Sequence, residues 1–482
     1  MKRNKTLMQA FYWEMKEGEY KENFPEEDNL WRLLKKQAGE LAKIGITELW
    51  IPPANKGHAG VYDVGYGSYD LWDLGEFEQK GTRRTKYGSR EELEEAVEVL
   101  HNVGIRVYYD AVMNHMMGAD ELEVVPLDES SLSNPGGEAE VWTKFNYPGR
   151  KGKYDSFSWN WEHFNGTDWT ENLGGGLYLF KDKEWDNTYC WEDDYLMGVD
   201  YDYLNPEVQK QMKKWGKWII NQIGFDGFRL DAVRHIDVNF MNGWIEELQF
   251  DTEKEVTFIG EAWFEDLDEI RGYLRVLDNL QMKVFDFPLR SAFKSLRDGN
   301  LDMRWLGGEG LVNQQGYEDR AVTFVDNHDT DRDSGGYGIN SIYNRKYQAY
   351  TYILTREHGL PTVFWKDYYQ YGMKEGLDKL IEVRRDFAYG KGYESYSNDF
   401  NTYSYVREGV EEIEGSGLVM MITQDNSGGI IEKRIDSKKP NSRFYDYTGN
   451  VEGIVETDAE GYGEFKIRGN ESKGWSVWVP VN

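Results

Sequence analysis

Arg229 and Asp231 are the residues from which a chemical interpretation of this chain begins. They lie two positions apart at the end of the apolar run Phe225–Asp231, and in an extended strand both side chains point to the same side. An unpaired charge inside a protein is costly, so a buried carboxylate beside a buried arginine needs an explanation. A structural ion pair is the first interpretation, and it is favoured for an isolated Arg-x-Asp pair. A nucleophilic carboxylate kept ionised by its arginine is the second.

Further acids and histidines recur at matching places along the chain. Glu261 follows Asp231 by about one strand–helix unit, and Asp329 follows Glu261 by about two. Each acid stands at or just after the end of an apolar run, and His115 and His328 stand close to such ends. A single acid there is often only a helix N-cap. No single structural explanation covers three acids, two histidines and an arginine. Their common placement therefore favours the interpretation that they converge on one catalytic site.

Short apolar runs and amphipathic segments alternate between these residues. Eight runs predict strands: Leu7–Trp13, Ile46–Ile51, Ile105–Asp110, Phe225–Asp231, Phe258–Glu261, Val284–Pro288, Ala321–Val325 and Pro361–Trp365. Helical patterns include Asn29–Ile44, Arg90–Asn102, Pro206–Gln222 and Asn340–Glu357. Eight strands, each followed by a helix, predict the α/β fold of a (β/α)8 TIM barrel, whose functional side chains sit at the C-terminal strand ends. A doubly wound sheet is the alternative, but no Gly-rich phosphate loop follows the first strand.

Two stretches interrupt the alternation. After the third strand, a segment rich in Gly, Trp, Asp and Asn is far too long for one connection, so it predicts a small inserted β-rich domain. From about Gly390 the pattern changes to period-two strands with turn signals, which predicts a C-terminal antiparallel β-sandwich. The expected division is barrel 1–115, insertion 116–205, barrel 206–389 and C-terminal domain 390–482.

Composition excludes several classes of protein. The net charge of −30 argues against nucleic-acid binding, which needs a basic face. A single cysteine, Cys190, excludes an internal disulfide, and no window has the apolar length of a membrane span. The N-terminal residues Met1–Thr6 are not followed by the apolar stretch of a signal peptide. A cytoplasmic location is therefore expected, or a secreted one if a leader has been removed.

Clustered carboxylates at a barrel mouth suit two chemistries. One is a metal hydrolase, but the His-x-His of the barrel amidohydrolases is absent from the first strand, which carries Phe11-Tyr-Trp13. The other is glycoside hydrolysis, in which one acid attacks the sugar and another donates a proton. The second chemistry is the better match.

Several segments resemble one known family. They are Asp110-Ala-Val-Met-Asn-His115, Gly227-Phe-Arg-Leu-Asp-Ala-Val-Arg-His235, Gly260-Glu-Ala-Trp263, Phe324-Val-Asp-Asn-His-Asp329 and Leu196-Met-Gly-Val-Asp-Tyr-Asp202. The first four, in this order, are similar to the four conserved regions of the α-amylase family of glycoside hydrolases, and the last is similar to the extra motif of its insertion domain. Gln9-Ala-Phe-Tyr-Trp-Glu14 and Asp63-Val-Gly-Tyr-Gly67 resemble its liquefying and intracellular bacterial members. The resemblance implies a retaining endo-hydrolase of α-1,4-glucosidic bonds in starch, glycogen or maltooligosaccharides, acting through a covalent glycosyl-enzyme.

The resemblance also implies roles for individual residues. Asp231 matches the nucleophile, Glu261 the general acid/base and Asp329 the third carboxylate. The positions that match sugar contacts are Trp13, Tyr66, His115, Arg229, Arg234, His235, Trp263 and His328. Arg234 departs from the lysine common in the bacterial members that the chain resembles. It keeps the charge but changes the hydrogen-bond geometry, which bears on the product pattern.

A structural calcium site is implied as well. Asn114, Asp194, Asp200 and the backbone carbonyl of His235 match the family's Ca²⁺ ligands, and hard oxygen donors suit that ion. A second, bridging metal cluster is doubtful. Asp186 and Asp202 stand at its positions, but Asn165 and Leu204 replace two aspartates. One tight calcium per chain, at the junction of barrel and insertion, is therefore expected.

Two alternatives stay open at the level of sequence. A maltogenic, α-1,6-specific or transglycosylating member of the family would share every catalytic residue. A non-catalytic carbohydrate-binding homologue is the other class, and its expected mark is a lost carboxylate. The expected partner is an α-glucan, with no nucleic acid and no membrane. The oligomeric state and the preferred chain length are left open.

Overall fold

The computed structural model describes residues 4–15, 29–186, 188–190, 194–252, 254–278, 282–332 and 340–481. Its centre is a closed barrel of eight parallel strands, each hydrogen-bonded to the next around the ring. In chain order they are Leu7–Gln9, Glu48–Ile51, Arg106–Ala111, Gly227–Leu230, Thr257–Gly260, Met282–Phe285, Ala321–Thr323 and Leu360–Phe364. The first strand closes the ring by pairing with both the second and the eighth. The predicted (β/α)8 barrel is thereby confirmed.

The helices surround this barrel. Those of the described residues are Leu30–Ile44, Arg90–Asn102, Pro206–Ile223, Val238–Asp251, Leu267–Leu277, Phe287–Arg297, Lys346–Thr355, Trp365–Tyr369 and Lys374–Asp386. Local residue types set their ends. Ser89 and Glu92 form a reciprocal capping box before Arg90–Asn102. Pro206 opens the next long helix, and Gly224 ends it with a left-handed φ of 87°.

The predicted helix Asn340–Glu357 is wrong in its first third. The helix begins only at Lys346, because Arg345 adopts a left-handed φ of 55°. The preceding residues are held elsewhere: the buried carboxylate of Asp326 accepts hydrogen bonds from the Ser341 hydroxyl at 3.1 Å and from the Ile342 N–H at 3.0 Å. A distant carboxylate therefore overrides the local helical pattern.

Some predicted strands extend too far. The first strand ends at Gln9, so Trp13 lies in the loop beyond it. The run Val284–Pro288 is a strand only to Phe285, because Asp286 caps the helix Phe287–Arg297. In both cases the residues past the strand end turn toward the barrel mouth or start the next helix.

The insertion after the third strand is β-rich, as predicted. A four-stranded sheet has the order Gly174–Leu179, Phe164–Thr170, Val199–Tyr201 and His115–Met116. A separate hairpin pairs Glu121–Pro126 with Glu138–Lys144. A small unpredicted pair, Lys56–Gly57 with Ser68–Asp70, follows the second barrel strand, and the loop between its strands carries Tyr66.

The C-terminal part is an antiparallel β-structure, as predicted. One sheet has six strands, in the order Gly392–Glu394, Thr402–Arg407, Leu418–Thr423, Trp475–Pro480, Arg443–Asp446 and Ile454–Glu456. The second sheet pairs Ile430–Asp436 with Tyr462–Arg468. Phe444, Phe465 and Trp478 pack into the shared core of the sandwich. Among the described residues, no helix is long and apolar enough to cross a membrane.

Candidate active site

Arg229 lies at the centre of the barrel mouth. Its side chain is fully buried, and its Nη1 donates to Asp110 Oδ1 at 2.9 Å and to Asp231 Oδ1 at 2.6 Å. Its Nη2 lies 2.6 Å from Glu261 Oε1. Strand pairing explains this convergence, because Arg229 is the direct neighbour of Asp110 on one side and of Ile259 on the other. One guanidinium thus joins carboxylates from three successive barrel strands. Arg229 and Asp231 do form an ion pair, and it belongs to a larger cluster.

The cluster changes the proton affinity of its members. Burial raises the pKa of Glu261 to about 8, with Asp231 and Asp329 adding to the effect of burial and Arg229 opposing it. Burial likewise raises the pKa of Asp329 to about 6, against the opposing charge of Arg229. Glu261 is therefore protonated at neutral pH, as a proton donor must be.

Asp329 is held by aromatic neighbours. The indole N–H of Trp13 donates to Asp329 Oδ1 at 2.9 Å, and His328 Nε2 lies 3.2 Å from Asp329 Oδ2. The Gln9 amide donates to His328 Nδ1 at 2.9 Å, which places the ring proton on Nε2, facing Asp329. Burial lowers the pKa of His328 well below its ordinary value, so the ring is neutral.

His115 is fixed in a similar way. Its Nε2 donates to the backbone carbonyl of Tyr66 at 2.9 Å, and burial lowers its pKa. A neutral ring that donates from Nε2 keeps Nδ1 as an acceptor. The Tyr66 ring stacks on His328 with centroids 5.3 Å apart and lies 5.0 Å from Trp13. These rings form one wall of the mouth.

A cleft of about 480 Å³ opens over this arrangement. Its lining residues are Trp13, Tyr66, His115, Leu196, Met197, Asp231, Ala232, Arg234, His235, Glu261, Trp263, His328 and Asp329. All the predicted catalytic residues and sugar contacts therefore border one cleft, except Arg229, which lies beneath it. In the same cleft, the Arg234 guanidinium donates to the Trp263 carbonyl and covers the Phe264 ring at 4.3 Å.

Several neighbours were not assigned a role from sequence. Asp110 Oδ2 accepts hydrogen bonds from Trp50 Nε1 at 2.7 Å and from the Tyr66 hydroxyl at 2.8 Å. The strand-end rule marks Asp110 from the sequence, though without a role, and it could also have found Gln9, the last residue of the first strand. Trp50 reads as an ordinary core residue. Leu196 borders the cleft from a motif that the resemblance had already singled out.

Two of the predicted calcium ligands, Asn114 and Asp200, lie where the insertion joins the barrel. Asn114 is buried, and its backbone carbonyl accepts from the Tyr201 N–H at 3.2 Å. Asp200 pairs across the sheet with His115, so Asn114 and Asp200 are close. The Thr188 hydroxyl donates to Asp194 Oδ1 at 2.9 Å, and the negative charge of Asp194 acts on Asp200. Within the described residues, no group of three or more His, Cys, Asp or Glu is arranged to hold a metal.

Asn165 lies at the centre of the predicted second metal cluster. Its amide nitrogen donates to Asp186 Oδ1 and to Asp200 Oδ2, both at 3.1 Å. Lys183 Nζ lies 2.6 Å from Asp202 Oδ2. At the predicted second metal site, a neutral amide and a lysine ammonium therefore contact the acidic side chains.

Comparisons with known proteins identify the family of this chain. Residues 39–374 match the sequence model of the α-amylase catalytic domain, and residues 418–479 match that of the α-amylase C-terminal domain. The chain is 40% identical to an α-amylase of Geobacillus stearothermophilus, covering 99% of this chain and 87% of the relative. It is 34% identical to the cytoplasmic α-amylase of Escherichia coli, covering 99% of both chains.

A solved structure gives the same fold. The α-amylase of Geobacillus thermoleovorans, complexed with acarbose, superposes with a TM-score of 0.66 at 18% identity, covering 100% of this chain and 98% of the other. The barrel, the buried carboxylates at its mouth and the match to the catalytic-domain model together make the chain a glycoside hydrolase. The matches over nearly the whole length then place the chain in the α-amylase family. As a member of it, the protein hydrolyses α-1,4-glucosidic bonds within glucan chains, with retention of configuration.

Proposed function

We propose that Asp231, Glu261 and Asp329 carry out this reaction as nucleophile, general acid/base and third carboxylate. The observation that supports the proposal is the single guanidinium of Arg229, in contact with both Asp231 and Glu261. It gives Asp231 the positive partner that a carboxylate nucleophile needs. Glu261 carries the proton, and Asp329, close to Trp13 and His328, faces the same cleft.

The reaction then proceeds by double displacement. Asp231 attacks the anomeric carbon while Glu261 transfers its proton to the departing glycosidic oxygen, which forms a covalent glycosyl-enzyme. The ionised Glu261 next removes a proton from water, and the resulting hydroxide releases the sugar from Asp231. The aromatic wall of Trp13 and Tyr66 supports the sugar ring. His115 and His328 offer hydrogen bonds to its hydroxyls.

On the leaving-group side we assign Arg234, His235 and Trp263 to contacts with the departing chain. Arg234 is tethered to the Trp263 carbonyl, so its guanidinium presents a fixed edge to the cleft. A lysine at this place would present a single mobile ammonium. We therefore expect Arg234→Lys to change the product distribution more than the rate of the first cleavage.

Product analysis tests the specificity. Amylose should yield a range of maltooligosaccharides from internal cuts, and pullulan should be left largely intact. NMR of the first-formed products should show α-anomeric reducing ends. Accumulation of maltose alone, cleavage of pullulan or formation of longer chains would favour the maltogenic, α-1,6-specific or transglycosylating alternative. Binding of amylose without any hydrolysis would favour the non-catalytic class.

We also propose one structural Ca²⁺, held by Asn114, Asp194, Asp200 and the carbonyl of His235. Two carboxylates, an amide and a backbone carbonyl are hard oxygen donors of the kind this ion prefers. Asn114 and Asp200 lie on neighbouring paired segments of barrel and insertion. The buried amide nitrogen of Asn114 has no hydrogen-bond partner among the described residues, which suits a side chain oriented by its oxygen. When bound, the ion would fasten the insertion to the barrel mouth.

A second, bridging metal is not part of this proposal. The Asn165 amide nitrogen, a hydrogen-bond donor, is directed at Asp186 and Asp200. Lys183 neutralises Asp202, and Leu204 contributes only a backbone N–H to the same carboxylate, at 3.0 Å. An amide nitrogen and an ammonium group thus stand among the remaining acids, and neither of them is a ligand for a cation.

For the biological setting we propose an α-glucan as the partner, in the cytoplasm. The net charge of −30 opposes nucleic-acid binding, and a relative named as cytoplasmic is 34% identical. Cell fractionation with an antibody against the protein tests the location. We further propose the division into barrel 1–115 and 206–389, insertion 116–205 and C-terminal domain 390–482, which limited proteolysis can test at its boundaries.

A further inference from the structure

A buried lysine that the proposed reaction does not use holds the loop of Asp329. Lys366 is the second residue of the short helix Trp365–Tyr369, which follows the eighth barrel strand. Its side chain is 7% exposed, and its ammonium lies 2.8 Å from Asp331 Oδ2 and 2.7 Å from Glu14 Oε2. Asp331 is buried and also accepts from the Tyr371 hydroxyl at 2.9 Å. We call the contact Glu14–Lys366–Asp331 the lysine bridge.

The lysine bridge joins two loops that meet again at the catalytic centre. Glu14 directly follows Trp13, and Asp331 lies two positions after Asp329. Trp13 and Asp329 are themselves hydrogen-bonded at 2.9 Å. The two loops therefore touch at two places, once through the indole and the catalytic carboxylate and once through the ammonium.

The loop of Asp329 has little freedom between these contacts. The Asp329 N–H donates to Asn327 Oδ1 at 3.0 Å, and the Asp331 N–H donates to the Asn327 carbonyl at 3.1 Å. Asp329 and Asp331 therefore belong to one hydrogen-bonded turn that begins at Asn327. The buried Lys366–Asp331 pair restricts Asp331 more than an exposed ion pair would, because water screens it little.

We propose that Lys366 is a positioning residue that sets the place of Asp329 relative to Trp13 through the lysine bridge. The inference rests on the proposed role of Asp329 in the reaction. A displacement of about 1 Å at a catalytic group can cost roughly 10²-fold in rate. Because Asp329 is assigned to the transition state, the loss should fall on kcat more than on KM.

Two variants separate positioning from simple stability. Lys366→Met should lower both the melting temperature and kcat, because it cuts the bridge and leaves Asp331 as a buried charge without its ammonium. Lys366→Met combined with Asp331→Asn removes that charge, so the melting temperature should recover. We expect kcat of the double variant to stay about tenfold or more below wild type, with KM changed less than about threefold. A kcat that recovers together with the melting temperature would overturn the inference.

Matched variants complete the experiment. Lys374→Met is the control, since Lys374 also contacts two carboxylates, Glu40 at 2.9 Å and Asp378 at 2.8 Å, away from the cleft. It should keep wild-type kcat. Glu14→Ala removes only the partly exposed end of the bridge and should lower kcat with an unchanged melting temperature; wild-type kcat in this variant would count against the bridge.

Asp329→Asn shows which hypothesis has failed. If it retains more than about a tenth of wild-type turnover, the proposed role of Asp329 is refuted, and with it the inference that Lys366 acts by positioning Asp329. If it is inactive while the double variant has wild-type kcat, only the bridge is refuted.

Discussion

Two groups of buried acids in this enzyme differ in what lies between them. At the barrel mouth, Arg229 sits among Asp110, Asp231 and Glu261 and contacts all three. In the insertion, the central place among Asp186 and Asp200 is taken by the neutral amide of Asn165. The first group therefore contains its own cation, whereas in the second the described residues place Lys183 at one edge, on Asp202.

The difference indicates how each group is held in place. A carboxylate cluster with a central guanidinium is organised by the chain itself, and its geometry can be set without any ligand. In a cluster without one, burial raises the pKa of Asp186 to about 8 and that of Asp200 well above its ordinary value, so the carboxylates resist ionisation until a cation binds. Chelation of calcium should therefore leave the geometry of the Arg229 cluster unchanged, while the insertion should lose stability.

The largest expected effect is loss of the nucleophile. Asp231→Asn should fold normally and lose several orders of magnitude in turnover, because no covalent intermediate can form. Asp226→Asn is the matched control. Asp226 precedes the same strand at its opposite end, where its carboxylate contacts His101 at 2.8 Å. Retention of more than a tenth of wild-type activity in Asp231→Asn would refute the assignment.

Removal of the central cation should be the next largest effect. Arg229→Met leaves three buried carboxylates without their shared partner, so the free energy of unfolding should fall by about 3–5 kcal/mol. Urea denaturation measures this. Arg304→Met, which breaks an exposed pair with Asp302, should leave the free energy of unfolding almost unchanged. Equal losses in the two variants would mean that Arg229 does not organise the mouth.

Chelation tests the other half of the comparison. EDTA should lower the melting temperature of the wild-type protein by several degrees, because calcium binds only the folded state. Asp200→Asn should be less stable at the outset and respond little to EDTA. A Ca²⁺ titration should give one tight site per chain. No binding at millimolar calcium would refute the proposed site. A second metal ion fully occupying the position around Asp186 and Asp202 would refute the prediction of one site per chain.

The protonation of Glu261 predicts the alkaline limit of activity. Its pKa of about 8 lies above the ordinary value, so the proton is present below about pH 8 and is lost as the pH rises through it. On starch, kcat/KM should fall above that pH. With an aryl maltooligoside, whose leaving group needs no proton, the rate of glycosyl-enzyme formation should fall much less. An identical alkaline limb for both substrates would contradict the role of Glu261.

The smallest expected effect comes from returning negative charge to the insertion. Asn165→Asp combined with Lys183→Met should weaken the protein slightly without metal and raise its calcium stoichiometry above that of wild type. Isothermal titration measures the stoichiometry. Asn146→Asp, elsewhere in the insertion and exposed, is the control and should leave it unchanged. An unchanged stoichiometry in the double variant would mean that Asn165 and Lys183 do not exclude a second ion.

Sequence patterns predicted the parts of this enzyme that depend on regular geometry. The eight strands, and the acids that stand at their ends, follow from alternation and spacing, because parallel strands bring their C-terminal ends to one rim. Contacts between distant residues were not predictable in this way. Nothing local marks Trp50 as a donor to Asp110, or Lys366 as a link between Glu14 and Asp331. The wrongly predicted start of the helix before Lys346 has the same kind of cause, because the residues there are bound by the carboxylate of Asp326 in another loop.

The hydrogen bond between Gln9 and His328 joins residues 319 positions apart. The strand pairing that closes the barrel joins Leu7 to Thr362, so the first strand must wait for the last, and we expect closure to come late in folding. During synthesis, a nascent chain with a complete insertion and a complete nucleophile strand would still lack this wall of the cleft. In refolding experiments, recovered activity should accordingly lag behind recovered helix content.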